Sequence, residues 1–238
     1  MALTFSGTSR GGKKESVTFF TLAAVLSLAL HLRAAYAGPS WQVYVFKPLT
    51  TSLLIALAVG YARRAAAEAG GSWPRYHGLL CAGLLWSLAG DVFLMLPGDW
   101  FVAGLASFLA AHLCYIAAFT RDTPRWGPAV LAVPYVAALG LLLALLWPHL
   151  GLLRTAVVLY GTALAAMAWL AAARWSVRRT VPTASAAAGG ALFMTSDGAL
   201  AIDRFAAPFS AATVVVMVTY VAAQWLIVQS LREGTTRA

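Results

Sequence analysis

The sequence predicts an all-α membrane protein: a compact bundle of eight transmembrane helices with both termini in the cytoplasm. Three observations predict it. Of the 238 residues, 61% are hydrophobic and only 11% charged, with a mean hydropathy of +0.78; a soluble domain carries roughly a quarter charged residues. Eight stretches each supply the about 20 mostly apolar residues that a spanning helix needs. Basic residues concentrate on alternate connections, the positive-inside pattern of an even number of spans.

The spans follow in order. Residues 1–16 form a polar, basic N-terminal tail. Val17–Ala37 is the first apolar run; with no convincing small-residue cleavage site it reads as a retained helix and not a signal peptide. The break "AGPSW" leads to Val43–Ala62, and "RRAAAEAGGSWPR" to Tyr76–Leu96. "PGDW" leaves room only for a tight turn into Phe101–Phe119. "RDTPRWG" precedes Pro128–Trp147, and "WPHL" precedes Gly151–Ala173. Ser185–Asp203 and Phe209–Leu231 complete the set, and residues 232–238 form a C-terminal tail. The breaks are rich in Gly, Pro, Asp and Trp, the residues that end helices and turn chains, and their shortness forces antiparallel neighbours. The domain organisation is therefore a tail at 1–16, one transmembrane domain at 17–231 and a tail at 232–238, with no soluble domain and no internal repeat. Small residues within spans, as in "AAAGGALF" and "FVAGLASFLAAH", let helices approach closely, which favours a compact bundle over a water-filled pore.

Orientation follows from charge. Arg10, Lys13, Lys14, Arg63, Arg64, Arg75, Arg121, Arg125, Arg174, Arg178, Arg179, Arg232 and Arg237 lie on the two tails and every second connection. The opposite connections carry only Arg204. The net charge of +9 is thus mostly a topology signal, and nucleic-acid binding is not expected; membrane lipids, including anionic head groups at the basic segments, are the expected surroundings. The expected location is the bacterial cytoplasmic (inner) membrane. Trp41, Trp73, Trp100, Trp126 and Trp147 sit near span ends as interface anchors. Cys81 and Cys114 lie inside apolar runs, and neither a disulfide framework nor a Cys/His metal spacing exists.

Ionisable residues at membrane depth are rare and usually functional. "LLWSLAGDVFLMLP" carries Asp91 and "ALFMTSDGALAIDRF" carries Asp197. At 1.5 Å per residue, Lys47 and Asp91 lie about 9 Å, and Asp197 about 10 Å, below the outer edge. Three charges from three spans share one level, which predicts one cavity in the outer half. His112 and Tyr220, each about 18 Å deep, are placed as its floor. Blander roles compete: an ion pair of Lys47 with one aspartate, a snorkelling Lys47, a packed His112, and interhelical hydrogen bonds for Tyr220 and Gln224, one turn apart. Arg33, Arg154 and Arg204 near outer ends read as phosphate contacts of lipids, and Asp203 as a solvated boundary charge.

"FKPLTT" (46–51), "SLAGDVFLMLP" (87–97), "FVAGLASFLAAHLCYIAAF" (101–119), "TSDGALAIDRF" (195–205) and "VTYVAAQWLI" (218–227), each on its own span and in this order, resemble the motifs of the YhhN family, the integral-membrane lysoplasmalogenases. The resemblance runs from about residue 43 to 230. It implies hydrolysis of the vinyl-ether bond of a lysophospholipid substrate, a lysoplasmalogen, to a fatty aldehyde and a glycerophospho-head group. Carried over by position, it implicates Lys47, Asp91, His112, Tyr115, Asp197, Tyr220 and Gln224.

The chemistry meets the residues at the two aspartates. A vinyl ether hydrolyses by proton transfer to carbon, giving an oxocarbenium ion to which water adds; the hemiacetal then collapses to an aldehyde. This needs one protonated acid, one ionised carboxylate and shelter from solvent, much as in a glycosidase, and no metal or redox cofactor. Two Asp and one Lys in a low-dielectric site can share one proton. Asp91 and Asp197 are therefore the expected catalytic pair, with a preference for Asp197 as acid and for Asp91, one turn from Ser87, as the ionised partner. Lys47, His112, Tyr115, Tyr220, Gln224, Ser87 and Ser196 are the expected substrate-binding or supporting residues, with Lys47 or Arg154 holding the phosphate. A proton-coupled transporter of a small or lipid-like substrate also uses intramembrane Asp, Lys and His; it would act only across sealed vesicles, whereas hydrolysis persists in detergent. A metal-dependent lipid hydrolase would lose activity in chelator, and a purely structural protein would tolerate Asn at both aspartates.

Overall fold

A computed structural model describes residues 9–121 and 128–232 of the chain. The remainder of the two expected tails, and the loop residues Arg125 and Trp126, lie outside the described residues. Eight helices follow in the expected order: α1 (Ser9–Ala37), α2 (Trp41–Glu68), α3 (Arg75–Met95), α4 (Phe101–Phe119), α5 (Val133–Leu146), α6 (Arg154–Arg178), α7 (Val181–Ala201) and α8 (Ala212–Gln229). Among the described residues there is no strand. Several helices outrun the apolar runs that predicted them: α1 begins at Ser9, within the expected tail, α7 begins at Val181, α2 continues to Glu68 and α6 to Arg178. Hydropathy marks where lipid ends, while Ala-rich ends such as "AAAE" continue a helix on propensity alone.

Seven segments, all but α7, are long and apolar enough to cross a membrane. The exception, at 21 residues, is about 32 Å long but diluted by Thr183, Ser185, Thr195, Ser196 and Asp197. It needs little lipid-facing surface because it packs between α6 and α8. Two glycines allow this. A Cβ at Gly189 would stand 2.9 Å from the Ala223 carbonyl oxygen on α8, and one at Gly190 would stand 2.9 Å from the Ala168 Cα on α6. Its start is fixed by Thr180, whose side chain accepts from the Thr183 amide while the Thr183 hydroxyl accepts from the Thr180 amide, the reciprocal cap that holds a first turn.

Helices α2, α3, α4, α6, α7 and α8 form a ring, each packed on the next and α8 returning to α2. The main apolar core, from Leu54 and Leu84 through Phe108 and Met167 to Phe193 and Ile227, lies inside it. Helix α1 lies outside, in the groove between α2 and α8. Helix α5 also stands outside, against α6, with Val133, Val136, Leu141 and Leu145 exposed; a helix apolar all round belongs in lipid or a core. At the end where α1–α2, α3–α4 and α7–α8 connect, here the mouth end, the turn between α3 and α4 passes through Gly98 at φ +96°, a conformation that glycine adopts without strain. Helix α7 ends there in a wide π-helical turn, Ile202–Ala206, a local widening common at functional sites.

Candidate active site

Asp91 on α3 is 2% exposed and fully partnered. Its Oδ2 accepts hydrogen bonds from Thr51 Oγ1 on α2 at 2.6 Å and from the Tyr220 hydroxyl on α8 at 2.8 Å. Its Oδ1 lies 3.9 Å from Lys47 Nζ. Lys47 and Thr51 share a face of α2 because they are four residues apart. Lys47 does not snorkel away: its side chain is 13% exposed and turned to Asp91. Two donors and a cation are the surroundings an ionised carboxylate needs where water is scarce.

From Asp91 a buried hydrogen-bond relay runs on. Gln224 Nε2 donates to the Tyr220 oxygen at 3.4 Å, Tyr115 donates to Gln224 Oε1 at 2.9 Å, and Ser87 Oγ lies 3.5 Å from the Tyr115 hydroxyl. Asp91, Tyr220, Gln224, Tyr115 and Ser87 are thereby joined across α3, α4 and α8. Buried polar groups of this kind cost stability unless each finds a partner, and here they find one another.

Asp197 on α7 has a different setting. Its Oδ2 accepts from the Tyr160 hydroxyl on α6. It makes no ion pair of the kind Asp91 makes with Lys47, among the ion pairs of the described residues. Both aspartates, with Lys47 and Tyr220, line one cavity of about 290 Å³ in the mouth half of the ring. Its rim is polar: Asp99 accepts from Arg204 at 2.9 Å, and Asp203 in the π-helical turn accepts from the Phe209 amide at 3.1 Å. Lys47 also lines a wider vestibule of about 350 Å³, reached past His31, Ser40 and Tyr44.

Three residues expected at the site are held in other contacts. His112 does not line the cavity. It is fully buried with both ring nitrogens unpartnered, its ring 4.9 Å from that of Phe193 and 5.1 Å from that of Tyr160. Ser196 lines the cavity but donates to the Val216 carbonyl of α8 at 3.0 Å, a helix-to-helix tie. Arg154 lies over the Trp147 ring at 5.1 Å and not beside the aspartates. Two residues the sequence reading missed are Thr51 and Tyr160. Thr51 had a signal, in its spacing from Lys47 within "FKPLTT". Tyr160 stands six residues from the start of α6, about 9 Å along it, the level of the two aspartates. No three His, Cys, Asp or Glu side chains among the described residues come together as a metal-binding group.

The comparisons with known proteins converge. The family model of the YhhN family matches residues 42–231. "Uncharacterized membrane protein YhhN" of Escherichia coli O157:H7 is 32% identical over 217 residues, covering 88% of this chain and 97% of that protein. "Lysoplasmalogenase TMEM86B" of Sus scrofa is 38% identical over 227 residues, covering 94% and 88%. "Lysoplasmalogenase" of Mycobacterium tuberculosis is 36% identical over 211 residues, covering 85% and 75%. No solved structure matches the chain.

Proposed function

The chain belongs to the YhhN family, and from that premise we propose that it is a lysoplasmalogenase: an integral-membrane enzyme that hydrolyses the vinyl-ether bond of lysoplasmalogens to a fatty aldehyde and a glycerophospho-head group. Relatives of that name at 36% and 38% identity support the reaction class. The observation that carries the mechanism is the shared cavity with two unlike carboxyls, Asp91 ringed by donors and a cation and Asp197 held by a tyrosine.

In this reading Asp197 is the acid. It transfers its proton to the ether's β-carbon, and the adjacent carbon becomes an oxocarbenium ion. Asp91, kept as a carboxylate by Lys47, Thr51 and Tyr220, balances that charge and takes a proton from the water that adds. The hemiacetal collapses to aldehyde and alcohol, and the proton returns from Asp91 to Asp197 through cavity water. A pair of carboxyls flanking a cationic transition state is the arrangement glycosidases use. Tyr220 and the relay behind it hold Asp91 in place. The vestibule beyond Lys47 offers room for the phosphate-bearing head group. In this reading the protein sits in the bacterial inner membrane, and the distribution of basic residues supports both termini being cytoplasmic.

The test is aldehyde release from a lysoplasmalogen by the purified, detergent-solubilised protein. Turnover above that of a heat-inactivated sample is the expected result. Activity confined to sealed vesicles, with no aldehyde formed, would replace hydrolysis by transport.

A further inference from the structure

Beside the polar cavity a second, narrow space of about 70 Å³ lies between α4, α5, α6 and α7. Its walls are apolar: Leu105 of α4, Leu139 and Leu142 of α5, Leu164 of α6 and Met194 of α7. Of all its lining side chains only Tyr160 and Asp197 carry polar atoms, and these two are hydrogen-bonded to each other. Asp197, Leu94, Phe101, Phe108 and Leu200 line both this slot and the polar cavity, whereas Asp91 and Lys47 line the cavity and not the slot. The slot follows α6 from Val157 to Leu164, about 10 Å. Its outer wall is α5, the lipid-exposed helix outside the ring.

We infer that this slot is the tail subsite, which takes the alkenyl chain of the substrate and so sets both the chain-length preference and the point at which the chain meets Asp197. The inference rests on the proposed lysoplasmalogen hydrolysis. In such a substrate the bond to be broken joins an apolar chain to a polar glycerophosphate. The one carboxyl at the border between an apolar slot and a polar cavity is Asp197. A chain in the slot with its head group in the cavity brings the vinyl ether to that border. Asp91, wholly on the polar side, then faces the side from which water arrives. Because lipid is as apolar as the slot, the subsite gains little from desolvating the chain; it acts by shape, holding the double bond at the carboxyl. Access is lateral, past α5, for a substrate that never leaves the leaflet.

Gly161 is the size gate. A Cβ there would stand 2.5 Å from Leu139 Cδ1, the end of a flexible half-buried side chain on the lipid-exposed helix, so a larger residue fills the slot without forcing backbone apart. The experiment measures kcat/KM for aldehyde release from lysoplasmalogens with alkenyl chains of increasing length, in nanodiscs of fixed lipid content. Partitioning of the substrate into the lipid is common to wild type and variant, so their ratio reads the slot. For Gly161→Leu the ratio of wild type to variant should lie near one for the shortest chains. It should then rise with each further methylene that the filled slot excludes, to about tenfold or more for long chains, because a chain that cannot seat no longer holds the double bond at the carboxyl. Leu139→Ala should shift the preference the other way, toward long chains. A uniform loss at every chain length in Gly161→Leu, or an unchanged length profile in both variants, overturns the inference while leaving vinyl-ether hydrolysis standing. Absence of aldehyde from the wild type at any length removes the reading on which it rests.

Discussion

Tyr160 on α6 donates its hydroxyl hydrogen to Asp197 on α7, so the carboxyl that meets the slot is oriented by a helix that also forms the slot's wall. In the proposed mechanism Tyr160 is a positioning residue. Tyr160→Phe removes one oxygen and leaves the ring contact with His112 intact. The expected outcome is a fall in kcat of about tenfold to a hundredfold, the range of a hydrogen bond to a carboxyl expressed in the barrier, with KM changed less than about threefold. Steady-state kinetics with a thermal-unfolding control decide it. A variant with wild-type kcat would remove Tyr160 from the mechanism.

Topology is testable with two conservative changes. Ser72 lies exposed between α2 and α3, on the side that the basic residues assign to the cytoplasm, and Ser210 lies exposed between α7 and α8, on the opposite side. An impermeant thiol reagent added to intact cells should label Ser210→Cys and leave Ser72→Cys unlabelled until the cells are opened. The unaltered chain, with Cys81 buried and Cys114 within α4, should stay dark throughout. Labelling of Ser72→Cys alone would invert the whole bundle.

The eight helices were legible because a bilayer demands long apolar runs and the breaks between them are short. Lipid, however, does not reveal which helix stands inside. Helix α5 is the most apolar of the eight and lies outside the ring; α7 is the one helix not apolar enough to count as a membrane span and lies within the ring. In the site, distance along each span put Lys47, Asp91 and Asp197 at one level with Tyr220 deeper as the floor, and all four line one cavity. Depth fixes height and not direction around the helix axis. His112 therefore looked equivalent to Tyr220, yet it points between Phe193 and Tyr160. Tyr160 passed unnoticed because a lone tyrosine in an apolar run gives no pattern, and the pairing of Lys47 with Asp91 and not Asp197 needed the crossing of α2 and α3.

Close packing of α7 predicts a stability effect separate from chemistry. Gly190→Val would drive two methyl-bearing branches toward the Ala168 backbone, where even a Cβ would stand 2.9 Å from its Cα. Backbone cannot yield as a side chain can. Overpacking of this sort costs about 1–3 kcal/mol or more. The expected result is a clear drop in the detergent melting temperature, while Gly60→Ala, where a Cβ meets nothing within 4 Å, should leave it unchanged. Equal melting temperatures for the two variants would show that α7 is not wedged between its neighbours.

The two aspartates should separate in stability while agreeing in activity. Asp91→Asn and Asp197→Asn should each lower turnover by about 10²–10⁴-fold, the usual worth of a general acid or base, because an amide neither delivers an acidic proton nor balances a cation. Their folding consequences differ. Asp197 has a tyrosine and, among the ion pairs of the described residues, no cation, so Asn there should leave the bundle as stable as before or more so. Asp91 sits 3.9 Å from Lys47, and its loss strands a largely buried ammonium; breaking such a pair from one side is far costlier than removing both partners. Asp91→Asn should therefore melt lower than wild type, and adding Lys47→Met should restore much of the loss. Lys47→Met alone should lower kcat as well as raise KM, since it deprives Asp91 of its cation. The double-mutant cycle on melting temperature and turnover isolates the coupling. Additive effects at positions 47 and 91 would mean that the pair is not a functional unit, and retention of more than about a tenth of wild-type turnover in both Asn variants would end the carboxylate-pair mechanism.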